Sequence, residues 1–232
     1  MISGVFYESF HAYSLDFYVI TLKHEDRIHN IYLQHAKIPE KEIVLIDAVK
    51  GDELSIEDLL SQNKIDPFFY SEDPKQKKIK QRELGCYMSH LKTYKTIKEK
   101  KQYSGYSIVF EDDFVLADFF IESVRNILEN IREKNIDFDI IFLGQVVSEN
   151  KGEYIADMIY QMDRTALLVG AQGLLINNNN LNKIIEKLDG TIDVAFDHKL
   201  ANLGKSGDLN ILVVHPFLVT QGGAVYSTIQ DV

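Results

Sequence analysis

The stretch Ser107-Ile108-Val109-Phe110-Glu111-Asp112-Asp113-Phe114 reads as a buried strand that runs into three adjacent acids before the chain turns apolar again. Adjacent carboxylates repel, and an unpaired buried charge is costly. The acids must therefore face solvent, keep a proton or be neutralised by a cation. Alternate residues of a strand face the same way, which points Glu111 and Asp113 at one place and Asp112 at the opposite face. Two oxygen donors converging at a strand end make a candidate site for a hard divalent ion, Mg²⁺ or Mn²⁺ rather than zinc. A solvated strand end, or a helix N-terminus whose dipole welcomes acids, accounts for the same residues without a metal.

Outward from this segment, residues 15–22 are rich in β-branched and aromatic side chains and read as a buried strand, followed by a charged helix over 24–34 and a strand over 42–47. Ser55 followed by Asp58 is a relaxed capping box that opens a short helix through Gln62. Residues 66–82 carry Pro67, Pro74 and the run Lys75-Gln76-Lys77-Lys78-Ile79-Lys80, and read as a long mobile loop. Its lysines form either a solvated face or a means of steering a diphosphate. Leu84, Tyr87, Met88, Leu91, Tyr94 and Ile97 follow helical spacing as far as Lys100. Beyond the acids the pattern predicts a helix over 119–134, strands over 138–143 and 166–176, helices over 181–188 and 193–203, and a strand over 211–214. Strands alternating with helices indicate an α/β fold with a mostly parallel sheet, in which ligands gather at the carboxyl ends of strands. The whole of 1–232 is expected to form a single domain.

Composition sets further limits. A chain of 232 residues with 45% hydrophobic content can bury a sizeable core. The net charge of −10 argues against nucleic acid or an anionic membrane as the main partner. The lone cysteine, Cys86, rules out an internal disulfide and suits a reducing compartment. No apolar run is long enough to span a bilayer and no positive leader precedes an apolar stretch, so a cytoplasmic location is expected. The abundance of Lys, Ile and Asn is compatible with an AT-rich bacterial or large-virus genome.

A second constellation lies upstream, Glu83-Leu84-Gly85-Cys86-Tyr87-Met88-Ser89-His90-Leu91. Glycine among good helix formers costs about 1 kcal/mol against alanine, so close approach by another group is a reason for Gly85. Ser89 and His90 are either structural or site residues, and Cys86 reads as a small buried apolar side chain rather than a nucleophile.

These two motifs, in this order and separated by some 20 residues, resemble glycosyltransferase family 25, the group containing bacterial lipooligosaccharide galactosyltransferases and collagen galactosyltransferases. The likeness extends to Tyr18-Val19-Ile20-Thr21-Leu22 with Arg27, to Asp139-Ile140-Ile141-Phe142-Leu143-Gly144, to Gly170–Ile176, to Asp193, and to Pro216-Phe217-Leu218-Val219-Thr220-Gln221 with Ser227. Leu174 departs from the aromatic residue usual at its position.

The resemblance implies a GT-A type (Rossmann-like) fold and an inverting, metal-dependent transfer of galactose, or of glucose, from a UDP-sugar. The acceptor would be a hydroxyl of a glycan or of hydroxylysine in a collagen-like protein. Mn²⁺ (or Mg²⁺) would be held by Glu111 and Asp113, with His215 completing the site unless that histidine is structural. Thr21, Leu22 and Arg27 would face the nucleotide, with Ser89, His90 and Asp112 as further donor-binding candidates and Gln221 and Ser227 closing over the donor. Arg27 has an alternative as a surface ion-pair residue. The acceptor proton needs a base. Asp193 and Asp197, four apart and sharing a helical face if the helix begins there, are the candidates, Asp193 matching the family position; mutual repulsion would raise one of them. Helix capping is the bland alternative. A lipid-linked acceptor would bring the protein to the periphery of the inner membrane, or leave it in host cytoplasm if the source is viral. Two competing readings use the same acids: a catalytically silent glycan-binding or scaffold domain, and a metal-dependent phosphohydrolase or nucleotidyltransferase, which would lack its usual phosphate-cradling glycine loop.

Overall fold

The computed structural model describes residues 14–38, 42–69, 73–100, 105–145, 151–165 and 168–222. The chain begins with strand β1 (Leu15–Thr21), helix α1 (Glu25–His35) and strand β2 (Ile43–Asp47). A 3-10 turn, Gly51–Glu53, and helix α2 (Ile56–Ser61) lead to helix α3 (Pro74–Glu99), strand β3 (Tyr106–Glu111), strand β4 (Phe114–Leu116) and helix α4 (Phe120–Glu133). Strands β5 (Ile140–Phe142), β6 (Lys151–Ala156), β7 (Ile159–Met162) and β8 (Gly173–Asn177) follow. Helices α5 (Leu181–Leu188) and α6 (Phe196–Ser206) then precede strands β9 (Ile211–Val214) and β10 (Val219–Gln221).

An eight-stranded sheet in the order β2-β1-β3-β8-β5-β9-β7-β6 forms the centre, and β4 pairs with β10 in a separate ribbon. Strand alternation sorts the apolar residues onto the two faces. Leu15, Phe17, Val19, Ile108 and Phe110 pack with α1 and α4, while Tyr18, Ile20 and Val109 pack with α3, α5 and α6. This is the α/β layering expected from the sequence. The sheet is mixed, however, rather than mostly parallel. β1 is parallel to β2 and β3, and β5 to β9, but β8 enters antiparallel between β3 and β5, and β7 is antiparallel to β9 and β6. Strands β1, β2, β3, β5 and β9 still point the same way, so their carboxyl ends share one edge.

The expected mobile loop over 66–82 is corrected from Pro74 onward. Pro74 opens a 26-residue helix that runs unbroken to Glu99. The Asp73 carboxylate caps it by accepting from the Gln76 amide at 3.0 Å, and proline needs no amide partner in the first turn. The lysine run thus sits on the first turns of α3, where Lys80 pairs with Glu83 at 2.8 Å. The short helix at 56–61 does begin on Ser55, whose hydroxyl accepts from the Asp58 amide.

Gly85 has the close neighbour its position calls for. A Cβ there would lie 2.7 Å from the Val49 carbonyl oxygen and from the Gly51 amide nitrogen, and one on Gly51 would collide with the Gln81 carbonyl. The two glycines let the loop after β2 lie directly on α3. Ser89 fastens the same contact, accepting from the Val49 amide at 2.8 Å and donating to the Gly85 carbonyl at 2.6 Å. No helix among the described residues is long and apolar enough to cross a membrane.

Candidate active site

A cleft of about 510 Å³ opens where β1 and β3 end, between the start of α1, the loop after β2 and the middle of α3. Thr21, Leu22 and Arg27 line one wall, the loop from Val49 to Glu53 another, Cys86, Ser89 and His90 the floor, and Glu111, Asp112 and Asp113 the head. Most of the residues singled out from the two motifs therefore meet in one place.

The acids divide differently from the strand alternation. β3 ends at Glu111 and the chain turns at Asp112 and Asp113, so the period of two stops one residue after the strand does. Glu111 keeps the strand's orientation toward α3, where its Oε1 lies 3.1 Å from His90 Nε2 and 3.5 Å from Cys86 Sγ. Asp113 departs from the alternation by not returning to that side, and Asp112 turns to the α1 side as the alternation predicts. Asp112 shares Arg27 with Asp113, the guanidinium lying 3.4 Å from Asp112 Oδ1 and 3.3 Å from Asp113 Oδ2. Arg27 is buried, so it is no surface ion-pair residue.

Other nucleotide-facing candidates also hold the acids. The Leu22 amide donates to Asp112 Oδ2 at 3.3 Å, and Thr21 lines the same wall of the cleft. Gln221 Nε2 donates to Asp113 Oδ2 at 2.8 Å, placed by the pairing of β10 with β4 and by the Gly222 amide, which donates to the Asp113 carbonyl.

These environments set the charges. Burial, reinforced by the Glu111 charge, pushes the Asp113 carboxyl up to about 6 against the pull of Gln221 and Arg27. Burial also raises Asp112, over the opposing effect of Thr21, Arg27 and the Leu22 amide. Burial acts to raise Glu111 too, but His90, through its hydrogen bond and its charge when protonated, joins Cys86 and Arg27 in holding it below its ordinary value.

A protein cation, Arg27, thus answers two of the three acids, and their mutual repulsion does not by itself require a metal. The residues nonetheless fit a hard ion. Asp113 Oδ1 is buried with no hydrogen-bond partner among the described residues, and Glu111 borders the same cleft close enough to raise Asp113. These are the oxygen donors that Mn²⁺ and Mg²⁺ take. His215 does not join them. It follows β9, three strands along from β3 and so roughly 14 Å across the sheet, and its ring stands against Tyr160 and Phe217.

Asp193 and Asp197 do not share a helical face, because α6 opens only at Phe196. The preceding segment is held extended by a bridge between Ile192 and Ile65. Asp193 is partly exposed and pairs with Lys199 at 2.9 Å. Asp197 accepts from the Gly170 amide through one oxygen and from the His198 amide through the other, both at 2.8 Å. Ser227 lies outside the described residues.

Two features escaped the sequence reading. Cys86 is not a plain buried apolar residue, since its thiol lines the cleft beside Glu111. Phe196 stacks on the His90 ring, centroids 3.9 Å apart and planes within 10°, bringing the start of α6 to the acids. No local pattern announces a ring stack between residues so far apart in sequence.

Residues 14–199 match the family described as glycosyltransferase family 25 (LPS biosynthesis protein). Among curated relatives, procollagen galactosyltransferase 1-A of Xenopus laevis is 30% identical over 132 residues, 55% of this chain and 21% of that protein. Procollagen galactosyltransferase 1 of Danio rerio is 29% identical over 76 residues, 33% of this chain and 12% of the relative. Procollagen galactosyltransferase 2 of Homo sapiens is 24% identical over 131 residues, 56% of this chain and 20% of the relative. The matched stretch spans about a fifth or less of these relatives' lengths.

Proposed function

The chain belongs to glycosyltransferase family 25, and we propose that it moves galactose, with glucose as the lesser alternative, from a UDP-sugar to a hydroxyl of a glycan or of hydroxylysine in a collagen-like protein, on a GT-A type fold and with inversion. The observation that carries this reading is the gathering of Glu111, Asp112, Asp113 and Arg27 in a cleft at the carboxyl ends of β1 and β3. Ligands of open α/β sheets collect at that edge, and the cleft's volume suits a small-molecule donor.

In this reading the acceptor oxygen attacks the anomeric carbon as the bond to the diphosphate breaks, and the acceptor proton passes to a carboxylate. Asp193 is the better base. Both oxygens of Asp197 already accept main-chain amides, whereas Asp193 has one side-chain ion pair and is partly exposed. Mn²⁺ or Mg²⁺ bound by Glu111 and Asp113 would supply positive charge to the departing diphosphate. Arg27, already between Asp112 and Asp113, positions those carboxylates.

One observation favours a second reading. Arg27 and Gln221 both engage Asp113 Oδ2, as they would in a catalytically silent glycan-binding domain of the same fold. Calorimetric titration with UDP, UDP-galactose and UDP-glucose, first with Mn²⁺ and then with chelator, separates the two. Metal-dependent binding lost in Glu111→Ala or Asp113→Ala is the expected result, and no binding under any metal condition would sink the transferase reading. Asp193→Asn should then lower transfer by about 10²- to 10⁴-fold with donor binding retained.

A further inference from the structure

We infer that Cys86, His90 and Glu111 form a second cation site, for a borderline-soft divalent ion of the zinc class, with an open coordination position facing the cleft. Cys86 and His90 are four apart on α3 and so lie on one face of the helix, and β3 brings Glu111 against that face. Cys86 Sγ, His90 Nε2 and a Glu111 oxygen lie within 4.8 Å of one another. Two of these separations are 3.1 Å, His90 to Glu111, and 3.5 Å, Cys86 to Glu111. A tetrahedral zinc with metal–donor bonds near 2.0–2.3 Å has donor–donor edges of roughly 3.3–3.6 Å. Two of the three edges therefore stand close to those of such a tetrahedron, and the third, between Cys86 and His90, is no longer than 4.8 Å.

The site is also built to hold its shape. His90 is fully buried and stacked on Phe196, so its ring plane is set by packing rather than by the ligand. Cys86 and Glu111 are both partly exposed and line the cleft, which leaves a path for an ion and room for a water or ligand oxygen at the fourth position. The donor set distinguishes this site from the neighbouring carboxylate pair. Sulfur and imidazole favour zinc, whereas the oxygens of Asp113 and Glu111 favour manganese or magnesium. Glu111 belongs to both sets, so the two ions compete for it.

Binding is balanced by loss of the thiol proton to solvent. A dication in contact with the sulfur removes that proton, so one proton leaves for each ion bound.

The test uses Co²⁺ as a spectroscopic stand-in for zinc on the chelator-treated full chain. A near-ultraviolet sulfur-to-cobalt charge-transfer band, saturating at one equivalent and erased by Zn²⁺, is expected. The band should vanish in Cys86→Ser, persist in Asp113→Asn, and need a Co²⁺ concentration at least roughly tenfold higher in His90→Gln. Absence of the band, or its persistence in a folded Cys86→Ser, overturns the inference. Should that variant fail to fold, the wild-type chain still decides. Cys86 is its single cysteine, and Zn²⁺ must slow its reaction with a thiol reagent, an unchanged rate overturning the site. None of these readouts depends on UDP-sugar binding, so a failure of the transferase reading leaves the inference standing or falling on its own.

Discussion

Glu111 and Asp113 stand two positions apart at the head of one cleft, yet they belong to opposite walls. On the α3 side, Glu111 meets a histidine and a thiol and is held below its ordinary value. On the α1 side, Asp113 shares a buried arginine with Asp112 and is nevertheless pushed up to about 6. The difference lies in where β3 stops. Glu111 is still strand and keeps the face that alternation assigns it, whereas the turn that follows keeps Asp113 on the α1 side with Asp112. Ionisation is then decided by how well the local partners offset the loss of water. His90 and Cys86 do so for Glu111, while one guanidinium divided between two carboxylates does not do so for Asp113.

The most severe way to break this comparison is to remove the shared cation. Arg27→Met leaves the buried Asp113 and the half-buried Asp112 without their charge partner, and a stability loss of about 3–5 kcal/mol is expected in chemical denaturation at neutral pH. A loss confined to a few tenths would mean that the two aspartates are neutral at that pH.

The second test sharpens the comparison through pH. Asp113 has a folded value above its ordinary 3.8, so the native state holds its proton more tightly than the unfolded chain. Its contribution is fully present below about pH 4 and is lost as pH rises through about 6, a change of about 3 kcal/mol. Asp113→Asn should therefore match wild type near pH 4 and exceed it in stability above about pH 7, in melts with chelator present. Glu111 has the opposite sign. Its folded value is depressed, so its contribution is present above its ordinary 4.5 and lost as pH falls below it. Glu111→Gln should remove stability at neutral pH rather than add it. Parallel pH profiles for the two variants would erase the distinction between the walls.

A smaller effect is expected from the α3 wall's support. Ser89→Ala deprives the Val49 amide of its acceptor and should cost about 1–3 kcal/mol, with little change in the pH profile of Asp113 because the α1 wall is untouched. The smallest concerns the frame itself. Asp73→Ala removes the cap of α3 and should cost about 1 kcal/mol in thermal melts; a variant indistinguishable from wild type would restore the loop reading of the segment that follows.

Much of the architecture was legible because it is written in short-range patterns. Residues 15–22 and 211–214 are apolar, β-branched runs of strand length, and both are strands within a residue of the expected bounds. Gly85 announced a close contact because glycine is otherwise a poor choice inside a helix, and the loop at Val49 and Gly51 is that contact. The 66–82 segment misled because charge and proline resemble a loop when read by composition, although aspartate followed by proline is equally a helix start. The reversed strand β8 could not be anticipated, since an apolar run reads the same in either direction.

The sequence by itself determined that a strand would end in three acids and that a helix upstream would bear Cys86, Ser89 and His90, because strand length, alternation and helical spacing depend on neighbours along the chain. Only the tertiary structure decided which cation each acid meets and which way it faces. Leu22 and Asp112, 90 positions apart, and the stacked pair Phe196 and His90 touch only because the sheet order brings β1, β3 and α6 to one edge. Burial and partner charges, which set the ionisation of the site, are properties of that gathering and not of any segment that enters it.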